Sequence, residues 1–183
     1  MSETLSWVFA TLFVLVAIAW YLSYSAARLD RLHVRLSGTL AALDAQLVRR
    51  AEASVELANS GLLDGATALI LASAAAQSLE STHEVGEVRE LAENDLTEAL
   101  DISLSSEVLA HLHEQGTLGA DHLSRLTSAC TRVQLARRFH NDAVTDVRRL
   151  RRKWVVRAFH LAGHTPLPAS VEFNDETPTR LIA

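Results

Sequence analysis

No charged side chain occurs between Thr4 and Ala27. That gap excludes an ordinary solvated helix, which needs a polar face. Cysteine is nearly absent: Cys130 stands alone and cannot close an internal disulfide, so nothing points to an oxidising compartment. Its apolar helical neighbours also argue against a reactive thiol. Only 7 glycines and 3 prolines occur in 183 residues. Such scarcity disfavours a β-rich domain, whose tight turns depend on those residues. The sequence contains no glycine-rich phosphate loop and no nucleophile elbow, so the best-marked nucleotide and hydrolase sites are missing.

What is present is helix-forming. The composition is 49% hydrophobic, with alanine and leucine prominent, enough apolar area to oppose disorder. The uncharged run is long enough to cross a bilayer core, which needs roughly 20 apolar residues. Trp7 lies near one end; Trp20, Tyr21 and Tyr24 lie near the other, where amphipathic rings favour the interfaces. Ser25-Ala26-Ala27 offers small residues for cleavage of a signal peptide. However, Met1-Ser2-Glu3 lacks a basic start and the run exceeds a signal core, so an uncleaved anchor is expected. Arg28, Arg31 and Arg35 follow the span and no Lys or Arg precedes it. The positive-inside rule then puts the N-terminus outside and the remainder in the cytoplasm.

Helical periodicity continues past the span without a linker. Leu29, Leu32, Leu36, Leu40, Leu43, Leu47, Ala51 and Val55 recur at steps of three and four, while Arg49, Glu52 and Glu56 mark the polar face. Asn59-Ser60-Gly61 is the first stop. A second helix is expected from about Leu62 to Asp101, weakened at Gly86, and a short helix from Ser105 to Gln115. After a turn at residues 116–119, a last long helix begins near Ala120. Its seam of Leu126, Ala129, Val133, Ala136, His140, Ala143, Val147, Leu150 and Trp154 is heptad-like, as in a coiled coil or antiparallel bundle. Pro166 and Pro168 end regular structure. The expected fold is all-α: an outside terminus and anchor at 1–27, a bundle at 28–165 and an irregular, partly mobile tail at 166–183.

Charge is uneven. Residues 80–121 hold eleven acids and one base, net −10, and residues 125–157 hold ten bases and two acids, net +8. Pairing of the acidic second helix with the basic last helix is the simplest expectation. The sharper one concerns Arg148, Arg149, Arg151, Arg152, Lys153, Trp154 and Arg157 as a membrane or partner surface, since a basic amphipathic helix can lie on anionic lipid. Phosphates of nucleic acid are the lesser alternative.

Two stretches, Ala92-Glu93-Asn94-Asp95-Leu96-Thr97-Glu98-Ala99-Leu100 and Ala136-Arg137-Arg138-Phe139-His140-Asn141-Asp142-Ala143-Val144, resemble the LemA family of bacterial membrane proteins. Gln46-Leu47-Val48-Arg49-Arg50-Ala51 and the Phe159 to Phe173 region are similar to it more weakly. The resemblance covers residues 5–175, less closely over 56–85. It departs at His140, where the family has tyrosine, at the missing proline after Arg49-Arg50, and at Arg151-Arg152-Lys153-Trp154. It implies an outside-N-terminus anchor in the bacterial cell membrane followed by an antiparallel bundle. The family has no settled biochemical activity, so the resemblance implies no chemistry.

Within those motifs Asn94, Arg138 and Asn141 are polar residues near the seam. They are expected to form a structural network between the second and last helices that fixes register. Metal ligation is not expected. His111 and His113 point apart on a helix, and His160 and His164 lack a third ligand. His83-Glu84 has no second histidine at the required spacing. No cofactor is expected either. The function these readings favour is a membrane-tethered cytoplasmic scaffold or protein-interaction module without catalysis. It would contact lipid through its anchor (Trp7, Trp20, Tyr21, Arg28, Arg31) and protein partners through its bundle, with self-association compatible and nucleic acid disfavoured. The alternatives are a stress or signalling adaptor whose basic helix binds anionic membrane, and a membrane-bound enzyme with an unmarked site.

Overall fold

A computed structural model describes residues 2–84, 86–159, 161, 163 and 166–178. The described chain is all-α. Its helices are α1 (Ser2–Ala58), α2 (Gly65–Glu80), α3 (Glu87–Ser103), α4 (Ser106–Glu114), α5 (Thr117–Arg151) and α6 (Trp154–Ala158), with a 3-10 turn at Ser81–His83. The expected run-on of the apolar segment into the first bundle helix is present: α1 is one helix of 57 residues. It ends before the Asn59-Ser60-Gly61 stop, where Gly61 takes a φ of 74° that residues with a Cβ rarely adopt. Asp64 then caps α2 by accepting from the backbone N–H groups of Ala66 and Thr67. Bonding to Thr67 holds its carboxyl below the usual range. Ser105 caps α4 in the same way through Val108 N–H.

Three boundaries differ from the expectation. The second helix is two, because the chain turns at Ser81–His83 and reverses φ at Gly86. The glycine is therefore a break and not a tolerated interior residue. The last helix begins at Thr117, three residues early. Gly119 lies inside it, where any Cβ would collide with the Leu112 carbonyl. Finally, α5 stops at Arg151 and the chain restarts as α6 after Lys153. The seam stays buried or half-buried from Leu126 to Leu150, but Trp154 is 74% exposed and Val155 and Val156 take the inner side. The break rotates the following residues, so the heptad register does not carry across it.

Contacts divide the chain into two compact units, residues 39–141 with 170–183, and residues 1–38 with 142–169. In the first unit α1 and α5 run antiparallel: Thr39 meets His140, and further along α1 Glu56 meets Arg125. Its main core joins Ala51, Leu57, Leu71, Leu96, Leu112 and Leu126, drawn from α1 to α5, and includes Cys130. A second cluster joins Leu43 and Leu47 to Val133 and Phe173. Each such leucine contributes about 1.5–3 kcal/mol through burial. In the second unit Leu29, Leu150 and Val156 form a small cluster, and Arg35 pairs with Asp146 at 3.3 Å.

The tail is irregular over residues 166–178, and segment 170–177 packs against the helices. Its Phe173 and Thr177 are buried, and helical side chains hold its backbone at several points. Such bonding of its peptide groups ties down a terminal segment that would otherwise be loose.

Candidate functional site

Two groups of polar side chains stand out, one in each unit. In the unit of residues 39–141, the buried stripe of α1 runs Leu43, Leu47, Arg50, Ser54 and Leu57. Steps of four and three place Arg50 among the apolar residues, on the face that meets the other helices. On α3 the stripe Arg89, Glu93, Leu96, Leu100 and Ser103 does the same. Arg50 is 1% exposed and Glu93 is fully buried. Arg50 donates to Glu93 Oε2 at 2.6 Å, to the Glu93 carbonyl at 3.2 Å and to the Thr97 hydroxyl at 3.2 Å. Arg89 lies 3.0 Å from Glu93 Oε1 and donates to the Ser78 carbonyl and the Ser81 hydroxyl. The Ser78 hydroxyl donates to Glu93 Oε1 at 2.8 Å. Glu93 thus serves α1, α2 and its own helix at once.

An isolated buried charge is prohibitive, and a buried pair roughly breaks even against apolar replacements. What the triad supplies is geometry, since the bonds of Arg50 to Glu93 and Thr97 are lost if α1 slides against α3. Asp44 lies within the field of this network, and partial burial pushes its carboxyl above the usual range, against the opposing attraction of Arg89 and His140. The Cys130 thiol is likewise pushed up by burial, which keeps it protonated and unreactive.

The C-terminal segment closes the network. Phe173 lies beneath two guanidinium groups, with Arg50 5.9 Å and Arg137 5.6 Å from its ring centroid, within cation–π range. Asn141 brackets Val171, donating to its carbonyl and accepting from its N–H, each at 3.0 Å. Asn94 accepts from Asn174 N–H at 2.6 Å, and Thr97 donates to the Asn174 carbonyl at 2.7 Å. Gln134 donates to the Asp175 carbonyl at 2.7 Å. Arg137 grips the Asp175 carboxylate with two bonds of 2.7 and 2.9 Å, the bidentate geometry that suits guanidinium best.

Of the expected network residues, Asn94 and Asn141 each bond the C-terminal segment, at Asn174 and Val171 respectively, and not each other in any described bond. Arg138 is exposed and takes no part in the described bonds to this segment; Arg137, the first residue of the expected 137–141 segment, bonds Asp175 instead. Nothing local in the sequence marks Arg50, Arg89 and Glu93 as buried, although the step pattern that buries Leu43 and Leu47 also includes Arg50. The expected pairing of acidic and basic helices takes another form here. Glu93 pairs with Arg50 of α1 and Arg89 of α3. Arg125 of α5 pairs with Glu56 of α1 and Asp121 of its own helix, and Arg137 with Asp175.

In the other unit the basic segment is remodelled by the break after Arg151. Arg148 donates to the Pro168 carbonyl and Arg151 to the Pro166 carbonyl, both at 2.8 Å. Arg149, Arg152, Lys153 and Arg157 are exposed. Arg148, Arg151, Arg152, Trp154 and Arg157 line an open cleft of about 980 Å³. Beside it runs an apolar groove of about 380 Å³ formed by Phe13, Ile18 and Leu22 of α1 with Trp154, Val155 and Phe159. Of the expected interface anchors, Trp7, Trp20, Tyr21, Arg28 and Arg31 are all exposed on α1. Among the described residues no three His, Cys, Asp or Glu converge as for a metal; His160 and His164 lie outside them.

Comparison with known proteins yields no match to a family model, a curated protein or a solved structure.

Proposed function

We propose that the chain is a membrane-tethered helical scaffold or interaction module of the LemA type without catalytic activity, held in a bacterial cell membrane with its N-terminus outside and its bundle in the cytoplasm. The observation that carries this reading is the first part of α1. It is long and apolar enough to span a bilayer, with a mean hydropathy of 2.2 over its best window and none of that window buried. Water would penalise such a surface heavily, whereas lipid solvates it. The arginines at 28, 31 and 35 support this orientation.

Two features support the remainder. All four stretches that resemble the LemA family contribute to one network: Arg50 from the first, Glu93, Asn94 and Thr97 from the second, Arg137 and Asn141 from the third, and Phe173 from the last. A shared scaffold accounts for that convergence. The ionisable groups there are also spent on one another and on the backbone, as in a structural lock.

The test is topological. Glu3→Cys and Glu52→Cys, each with Cys130→Ala, are treated with a membrane-impermeant maleimide on whole cells. Labelling of position 3 alone is expected, together with retention in the membrane after alkaline carbonate. Release by carbonate, or labelling of position 52 in intact cells, refutes the tether and its orientation.

A further inference from the structure

We propose that the arginine-lined cleft and the adjoining apolar groove of the second unit together bind one anionic phospholipid, its phosphate among Arg152, Arg157 and their neighbours and an acyl chain along α1. This inference rests on the membrane reading of α1.

The cleft holds four guanidinium groups, from Arg148, Arg151, Arg152 and Arg157, and no acidic side chain among its described lining residues. Exposed guanidinium groups side by side, as Arg152 and Arg157 are, repel, and an anion relieves that repulsion. Arg148 and Arg151 are partly engaged with the carbonyls of Pro168 and Pro166, which sets the floor of the cleft. Arg152 and Arg157 are the exposed members. Guanidinium is the side chain best matched to phosphate oxygens.

The groove has the opposite character: its lining comes from apolar and aromatic side chains of α1 and α6. Trp154 belongs to both walls. A ligand that fills both spaces needs an anionic head joined to a hydrocarbon chain. Each volume lies in the range of small-molecule sites. A soluble anion would leave the groove empty, and a polar peptide would leave it unsatisfied. The α1 wall, Phe13 to Leu22, is part of the segment that lipid would surround, so acyl chains are the solvent already there. Trp154 at 74% exposure and Phe159 at 50% then face hydrocarbon instead of water, while Lys153 and Arg157 reach back to the headgroups by snorkelling.

The experiment uses the full chain with Trp7→Phe and Trp20→Phe, leaving Trp154 as the sole tryptophan. It is reconstituted in nanodiscs of phosphatidylcholine with a minor fraction of phosphatidylglycerol. Bromines are placed on the acyl chains of either the phosphatidylglycerol or an equal amount of the phosphatidylcholine. Trp154 fluorescence is expected to be quenched several-fold more by brominated phosphatidylglycerol. In Arg152→Gln/Arg157→Gln, whose changed side chains are exposed, the preference disappears, each lost charge weakening retention about fivefold. Equal quenching by both lipids overturns the site, as does loss of the preference on adding soluble glycerol phosphate. Absence of quenching by either overturns it too. A companion protein with Trp7→Phe and Trp154→Phe keeps Trp20 as reporter. Quenching of Trp20 with silence at Trp154 sinks only the lipid site, whereas silence at both sinks the membrane reading itself.

Discussion

The two ends of α1 belong to one unbroken helix and solve opposite problems. Over residues 5–24, leucine, valine, phenylalanine and tryptophan side chains are exposed all round the helix. Over residues 43–58 the same helix buries Leu43, Leu47 and Leu57 and with them Arg50, a full charge at 1% exposure. The first stretch is long and apolar enough to cross a bilayer and offers no charged groups that require specific partners. The second needs specific partners, because a buried guanidinium is tolerated only where acceptors, above all an anionic one, meet its N–H groups. Hydrophobicity therefore locates the first stretch but does not predict the interior of the second.

The sharpest way to break this contrast is to remove Glu93. Glu93→Ala leaves Arg50 and Arg89 buried without their counter-charge, and a loss of about 3–5 kcal/mol is expected in denaturant unfolding of the detergent-solubilised chain. The triple change Arg50→Met, Arg89→Met and Glu93→Leu should recover most of it, since apolar replacement of every partner is near neutral, whereas a rescue that keeps Arg89 would leave that charge unpaired. A Glu93→Ala cost below 1 kcal/mol would mean that the network is wetter than its burial implies.

Leucine truncation gives a matched comparison along the chain. Leu126→Ala, at a fully buried site, should cost about 2–5 kcal/mol. Leu12→Ala, on the exposed apolar stretch, should leave bundle unfolding unchanged and weaken membrane insertion by only about 0.5 kcal/mol. Equal effects on unfolding would show that residues 5–24 pack within the protein.

A smaller effect is expected at the C-terminal segment. Asn141→Ala removes both bonds to Val171, at about 1–3 kcal/mol. Because that segment docks on side chains and not through its own helix, limited proteolysis should cut near residues 170–177 well before the helices. Cleavage at the wild-type rate would show that Asn141 does not hold it.

Asp44 offers the finest adjustment. Burial raises its folded pKa above the unfolded value, so the folded state favours the protonated acid. That contribution is complete below the unfolded pKa and is lost as pH rises through the folded one. Asp44→Asn should therefore be more stable than the wild type at neutral pH, with the gap narrowing in acid. Denaturation midpoints compared at pH 7 and near pH 3 check the sign.

Much of the helical layout was legible because it is written locally. Asn59-Ser60-Gly61 ends α1, Ser105 opens α4, and the seam of α5 repeats regularly from Leu126 to Leu150. The misses have one physical origin. Charged residues read as solvated by default, so Arg50, Arg89 and Glu93 became visible only when three helices brought them together. Asn94 and Asn141 stand out in the sequence as polar groups near the seam, but the segment around Phe173 that they bond has no periodicity by which to place it. Likewise Arg152-Lys153 contains no glycine or proline, so the break that turns Trp154 outward left no local sign.

Sequence alone determined the helical class, the uncharged lipid-length run and its flanking arginines, because composition and 3.6-residue periodicity act within a single segment. Tertiary structure decided which charges went inside, where the C-terminal segment lodged and which way Trp154 faced. Those outcomes depend on groups far apart in the chain, whose desolvation is tolerable only once they meet.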